Sequence, residues 1–353
     1  MLAYSYRDGK KPVLEEKKIP DLGEDYRAIV RVHACSICGT DIRTYRFGNS
    51  KIKEGTILGH EVVGRIEKIS EEWKEAFPVG SHIAMAPAIG CGKCHSCREG
   101  HTNMCSGLKT IGFEYDGGFA EYMGIPGEAF ERGNIYRLPE SEDDTMYTLS
   151  EPLACVINAQ SYLNIQEGED VLIIGSGIIG SMHAALSLYK KAGLVMVADV
   201  AEGRVEEVKQ KLPEVIGICS GTENLKNRVM ELTGGKGADV VIVACSVGKA
   251  QEEGMDLLAR RGRISLFGGL PGETKGFIDS NLIHYKELSV YGVHASTPKQ
   301  NKKAMEYIRD GIVDAENFIS AKYPLKEIEQ AFADAEKGQM MKVVITMSQE
   351  GEV

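Results

Sequence analysis

The chain has no apolar run near the roughly 18 residues needed to cross a bilayer as a helix, so a membrane is not among its expected partners. It also lacks a positive balance: 41 Lys and Arg stand against 51 Asp and Glu, a formal charge of −10. A general nucleic-acid binder needs a basic face to displace counterions, which argues against nucleic acid as a partner. No apolar segment follows a basic start in Met1 to Asp8. Neither a secretory signal nor an anchor is indicated, and the expected compartment is the cytoplasm. Internal repeats, low-complexity tracts and charged tails are missing as well.

What is present is globular. Hydrophobic residues at 43% and charged residues at 26% suit a packed core. At 353 residues the chain exceeds one ordinary core, on a prior of about 150 residues per domain, and predicts two. The first 150 residues alternate short apolar runs with glycine and proline: Ala28 to His33, Val62 to Ile66, His82 to Met85 and Gly118 to Tyr122. That pattern predicts a β-rich, barrel-like domain with long loops. From Val171 the runs become continuous and alternate with helical stretches, at Val171 to Ile174, Val195 to Ala198, Val240 to Val243, Arg263 to Phe267 and Leu288 to Tyr291. Strands of a parallel sheet are covered on both faces and read this way, so the middle of the chain is expected to be a doubly wound α/β domain. Helical patterns near Lys302 to Asp310 and Leu325 to Lys337 and a last strand from Lys342 follow.

The strand at Val171 runs into Gly175-Ser-Gly177-Ile178-Ile179-Gly180 and then into a helix-compatible stretch. In such a loop the first glycine makes the turn, the second admits a pyrophosphate, and the third lets helix and strand pack closely. The loop alone is a weak signal. Asp199 strengthens it, because it ends the next apolar run about 20 residues on, where a carboxylate receives the adenosine ribose hydroxyls. A carboxylate there repels the 2′-phosphate of NADP, so NAD is the expected cofactor. Arg204 is placed to flank the adenine or to lie in solvent, and Gly268-Gly269-Leu270, after a later strand, is expected to line the nicotinamide pocket.

Nine cysteines are unevenly spread, with Cys91, Cys94, Cys97 and Cys105 inside one short loop. In a reducing compartment such clustering favours metal over disulfides. Four thiolates close a tetrahedron around Zn²⁺ with no open position, a site that stabilises and does no chemistry. An iron–sulfur cluster is the chemical competitor. A second group is dispersed: Cys38-Gly39-Thr40-Asp41, His60-Glu61 and Glu151-Pro152-Leu153. Cysteine, histidine and carboxylate are zinc ligands, and three of them with an open position describe a catalytic centre. None of these fragments is decisive alone, and Cys35-x2-Cys38 also reads as a redox pair.

The order of these motifs, with Gly117 to Tyr122 and the closing Lys342-Val-Val-Ile, resembles the zinc-containing medium-chain alcohol and polyol dehydrogenases over essentially the full chain. Sorbitol and threonine dehydrogenases are the nearest in kind. The resemblance implies a GroES-like catalytic domain, residues 1–152 and 291–353, interrupted by a Rossmann domain, residues 153–290. It makes Cys38 and His60 ligands of a catalytic zinc, with Glu61 or Glu151 as the third, beside one structural zinc. Thr40 stands where the family passes on the substrate proton, and Asp41 where a carboxylate orients the histidine. Arg43 replaces the histidine that many relatives use to end the relay, which leaves that base unassigned. Cys35 reads as core. A homotetramer or homodimer is implied.

The substrate is less legible. Tyr45, Arg46, Phe113, Glu114 and His284 are candidate lining residues, each equally readable as surface or interface. Polar lining suits a polyol or sugar-related alcohol. Arg43 and Arg46 also suit a sugar-alcohol phosphate or the carboxylate of threonine. The expected reaction is hydride transfer from a secondary alcohol to NAD, with L-threonine 3-dehydrogenase or a sugar-alcohol-phosphate dehydrogenase as alternatives. A non-catalytic NAD- and zinc-binding protein is the alternative of another class.

Overall fold

The computed structural model of the chain describes residues 1–7, 10–141, 143–272 and 274–347. It divides into two units, one of Met1–Ala154, Ala295–Arg309 and Asp314–Val353, the other of Cys155–His294 and Asp310–Val313. The breaks lie two and four residues beyond those expected at 152 and 290. The first falls inside the helix Ser150–Leu163, where no change of composition marks it. Among the described residues no helix is long and apolar enough to cross a membrane.

The first unit is built on a seven-stranded sheet in the order Ala321–Pro324, Val343–Thr346, Ala28–Ser36, Glu61–Ile69, His82–Met85 and Ile135–Arg137, with Tyr122–Ile125 also pairing with Ala28–Ser36. All neighbours are antiparallel except Ala321–Pro324 and Val343–Thr346. Tyr4, Phe119 and Phe332 fill the core, with ring centroids 5.1 Å (Tyr4–Phe332) and 5.6 Å (Phe119–Phe332) apart. The strand expected over Gly118 to Tyr122 begins only at Tyr122. The residues before it are spent elsewhere: Gly117, Gly118 and Phe119 donate backbone hydrogen bonds to Ile57, Gly59 and Leu58. A Cβ on Gly117 would sit 2.1 Å from the Gly59 carbonyl oxygen, so glycine is required for this clasp, which holds the turn that ends in His60.

The second unit is a six-stranded, wholly parallel sheet. Its order is Ile216–Cys219, Val195–Asp199, Val171–Ile174, Ala238–Val243, Leu258–Leu266, Ser289–Gly292, which in chain order is 3-2-1-4-5-6. This is the doubly wound arrangement, with its switch point between the first and fourth strands. All four residues of Val171–Ile174 are buried, as expected of a central strand. Sequence reading missed Ile216–Cys219 because Gly217 interrupts its apolar pattern. A Cβ there would meet Val205 Cγ1 at 2.5 Å, so the strand is thinned where the helix Glu202–Lys211 crosses it.

Candidate active site

The strand Ala28–Ser36 delivers the chain to Cys38, which caps the helix Gly39–Phe47. The cap is reciprocal. The Cys38 sulfur accepts from the Thr40 backbone N–H at 3.5 Å, and the Asp41 carboxylate accepts from the Cys38 backbone N–H at 2.9 Å. Such a capping box fixes both side chains. His60 and Glu61 arrive from the neighbouring strand, whose first residue, Glu61, pairs with Ser36. One ligand-type atom each from Cys38, His60 and Glu61 lies within 4.8 Å of the others.

This cluster has the character of a cation site. His60 Nδ1 is 3.5 Å from Asp41 Oδ1, and both it and Glu61 Oε1 are buried without a hydrogen-bond partner. Burial works to depress the His60 imidazolium, but the charges of Asp41 and Cys38 hold its pKa well above the usual histidine range. Sulfur, nitrogen and oxygen donors around orphaned buried atoms fit Zn²⁺.

Lys342, which sequence reading noted only within the closing motif, belongs to this centre. Its ammonium is paired with Glu61 inside the fold, and Ser36 Oγ donates to the same carboxylate oxygen. Burial works to lower the Lys342 pKa, and Glu61, Cys38 and Glu151 together raise it above the ordinary lysine value. The signal available was a lysine at the start of an apolar strand, where a cation needs a buried counter-charge. Glu151 lies in the first turn of Ser150–Leu163 and is outside the Cys38, His60, Glu61 group, although its charge is felt at Lys342.

Cys91, Cys94, Cys97 and Cys105 converge with their sulfurs within 4.8 Å, and every described cysteine is a free thiol. Backbone N–H groups point inward, Cys91 and Gly107 onto Cys105 Sγ at 3.2 and 3.3 Å and Cys94 onto Cys91 Sγ at 3.4 Å. The amides of Lys93 and Cys94 draw the Cys91 thiol down to about 6, and burial pushes Cys97 up. Four convergent sulfurs ringed by amides fit a closed metal site.

In the second unit Gly175 takes φ +108° and Gly177 caps the helix Ile178–Tyr189 with no side-chain hydrogen bond. A Cβ on Gly180 would stand 1.8 Å from the Gly175 carbonyl oxygen, whereas one on Gly177 would meet nothing within 4 Å. Ile178 and Ile179 form the first helical turn. The result is a tight turn below an open, uncapped helix N-terminus, a cradle that fits a pyrophosphate. Asp199 ends its strand and is held from behind, its Oδ2 accepting from Ser176 N (3.0 Å) and Oγ (2.9 Å). Asp199 and Arg204 line one cavity of about 690 Å³ with Ser220, Cys245 and Lys249. Gly268 packs against the Cys245 backbone, with Gly269 and Leu270 following it.

The expected substrate residues separate. Phe113 lies 6.0 Å from the His60 ring. Tyr45 is buried in the core and accepts a hydrogen bond from Lys11. Arg46 does not offer a free cation to a phosphate or carboxylate, because Glu336 engages it through both carboxylate (2.7 Å) and backbone carbonyl (3.0 Å). Glu114 accepts from the Thr110 backbone N–H in its own loop, Arg43 is exposed, and His284 is exposed in the helix Ser280–Lys286 of the second unit.

Residues 24–133 match the alcohol dehydrogenase GroES-like domain, and residues 178–310 match the zinc-binding dehydrogenase domain. The chain is 32% identical to an L-threonine 3-dehydrogenase of Pyrococcus horikoshii, covering 95% of this chain and 94% of the relative. It is 29% identical to a sorbitol dehydrogenase of Halalkalibacterium halodurans, covering 94% and 95%. A zinc-binding dehydrogenase from Sinorhizobium meliloti, solved bound to NADP, superposes with a TM-score of 0.89 at 25% identity, covering 98% of each chain.

Proposed function

This chain belongs to the zinc-dependent medium-chain dehydrogenases, and from that premise we propose that it oxidises a secondary alcohol of a polyol or related sugar, reversibly, with NAD. The observation that carries the reading is the convergence of Cys38, His60 and Glu61, in which Glu61 Oε1 is buried without a hydrogen-bond partner. These three would hold a catalytic zinc, with His60 offering Nε2 because Nδ1 faces Asp41. Cys91, Cys94, Cys97 and Cys105 hold a structural zinc.

When bound, the catalytic zinc supplies Lewis acidity that lowers the pKa of an alcohol toward neutrality, and NAD accepts the hydride. The chain's own residues set the stage. Lys342 neutralises Glu61 and so tempers the negative charge of the ligand set. Glu151, whose charge is felt at Lys342, is the carboxylate that would exchange with Glu61 as third ligand. Thr40 receives the alcohol proton and passes it outward. Arg43 cannot end that relay, since a guanidinium does not surrender its proton, and solvent water takes the role. Asp199 accepts from the adenosine ribose hydroxyls and disfavours a 2′-phosphate, while Gly268, Gly269 and Leu270 line the nicotinamide side and Arg204 flanks the adenine.

Threonine oxidation is the second reading, favoured by the similarity to the Pyrococcus horikoshii threonine enzyme. Against it, the carboxylate of an amino acid needs a cation, and of the two arginines suited to that role Arg46 is committed to Glu336, which leaves Arg43 alone. Steady-state kinetics on zinc-replete protein with polyols, sugar-alcohol phosphates and L-threonine decide. The proposal expects the highest kcat/KM with a polyol, and a preference for threonine replaces it with the second reading.

A further inference from the structure

His33, His82 and Asp144, none of which is assigned above, present one ligand-type atom each within 4.8 Å of the others. His82 Nδ1 is 2.9 Å from Asp144 Oδ2, and His33 Nδ1 is 3.3 Å from the same oxygen. Ligands about 2.0–2.1 Å from a tetrahedral ion stand roughly 3.3 Å from one another, so these separations suit a coordination shell. The two imidazoles meet edge to face, with centroids 5.6 Å apart.

With His82 neutral, hydrogen bonding alone leaves the cluster unsatisfied. If His82 donates from Nδ1 to Asp144, its Nε2 is buried without a hydrogen-bond partner and faces the Glu140 carboxylate at 3.4 Å, acceptor against acceptor. An ion on Nδ1 would leave the proton on Nε2, which faces the Glu140 carboxylate as a possible acceptor. That is the carboxylate–histidine–metal arrangement that commonly orients zinc ligands. The backbone is shaped to the same end. His33 sits where the strand register slips, Val32 pairing with Gly64 and Ala34 with Val63, and a bulge re-aims the side chain it carries. Asp144 precedes the short helix Thr145–Leu149 yet makes no capping bond, which leaves its carboxylate to the histidines. His33 also lines a surface cavity of about 490 Å³, an entry path for an ion.

We propose that His33, His82 and Asp144 form a third metal site, binding one divalent ion of the zinc type with water completing the shell. The ion clips the strands Ala28–Ser36 and His82–Met85 to the segment leading into the helix that carries Glu151. Equilibrium dialysis of the full chain against micromolar free zinc, followed by metal analysis, tests this for the wild type and for His33→Gln and Asp144→Asn. The expected result is one zinc per chain fewer in each variant, with turnover retained and with zinc raising the wild-type Tm more than that of the variants. Equal zinc content in wild type and variants overturns the site. Should Asp144→Asn fail to fold, His33→Gln decides, since His33 is only partly buried. The readout is a difference in zinc between variants, so it is independent of which substrate the enzyme takes.

Discussion

Asp41 Oδ1 lies 3.5 Å from His60 Nδ1 while its other oxygen accepts the Cys38 backbone N–H, so one buried carboxylate positions two residues of the cluster. Replacing it with the isosteric amide keeps the helix cap and removes the charge. Asp41→Asn is expected to lower zinc retention and kcat by about 10- to 100-fold with NAD affinity unchanged. Zinc release to a chelator and steady-state rates measured on one preparation check this, and unaltered values for both would show that Asp41 only caps the helix.

The two proposed zinc sites are expected to fail differently. Cys38→Ser should abolish turnover and leave NAD binding intact, whereas Cys94→Ser should lower Tm because a structural site contributes folding energy. Calorimetry with fluorescence titration of NADH separates the two effects. Equal loss of Tm in both variants, with activity kept in the folded fraction of Cys38→Ser, contradicts the division.

Asp199 is proposed to set cofactor choice. Asp199→Ser removes a charged acceptor, and the loss of such hydrogen bonds, about 1.5–3 kcal/mol, should cut kcat/KM for NAD by roughly 10- to 100-fold and narrow the gap to NADP. A wild type that already uses both cofactors equally would remove the role given to Asp199.

A pH effect arises from His183, buried in the helix after the dinucleotide loop, where burial pushes its pKa down to about 3. The unfolded chain takes up this proton as pH falls below histidine's ordinary 6.5 while the folded chain refuses it, so stability declines from about pH 6.5 toward 3. At pH 5 the deficit is about 2 kcal/mol. Urea denaturation at pH 7 and pH 5 should show a smaller drop for His183→Gln than for wild type, and equal drops count against it.

Much of the molecule was legible in the sequence, because its chemistry is carried by short fragments with fixed backbone demands. The four-cysteine loop and Gly175 to Gly180 each prescribe a local geometry, and the continuous apolar runs identify a sheet covered on both faces. What escaped depends on three-dimensional neighbours. Lys342 becomes meaningful only when Glu61 is beside it, and Arg46 is a free cation only until Glu336 comes within 2.7 Å. His33 and His82 lie on different strands and share a partner, Asp144, far along the chain, so no spacing betrays them. The strand Ile216–Cys219 was hidden by a glycine whose reason is a helix crossing over it.

The decisive experiment is the ratio of kcat/KM for NAD and NADP with a panel of polyols, sugar-alcohol phosphates and L-threonine, on protein whose zinc content is measured in the same sample. The expected result is NAD-dependent oxidation of a polyol that disappears when zinc is removed and returns when it is restored. Zinc-replete protein that reduces neither cofactor with any member of the panel would contradict it.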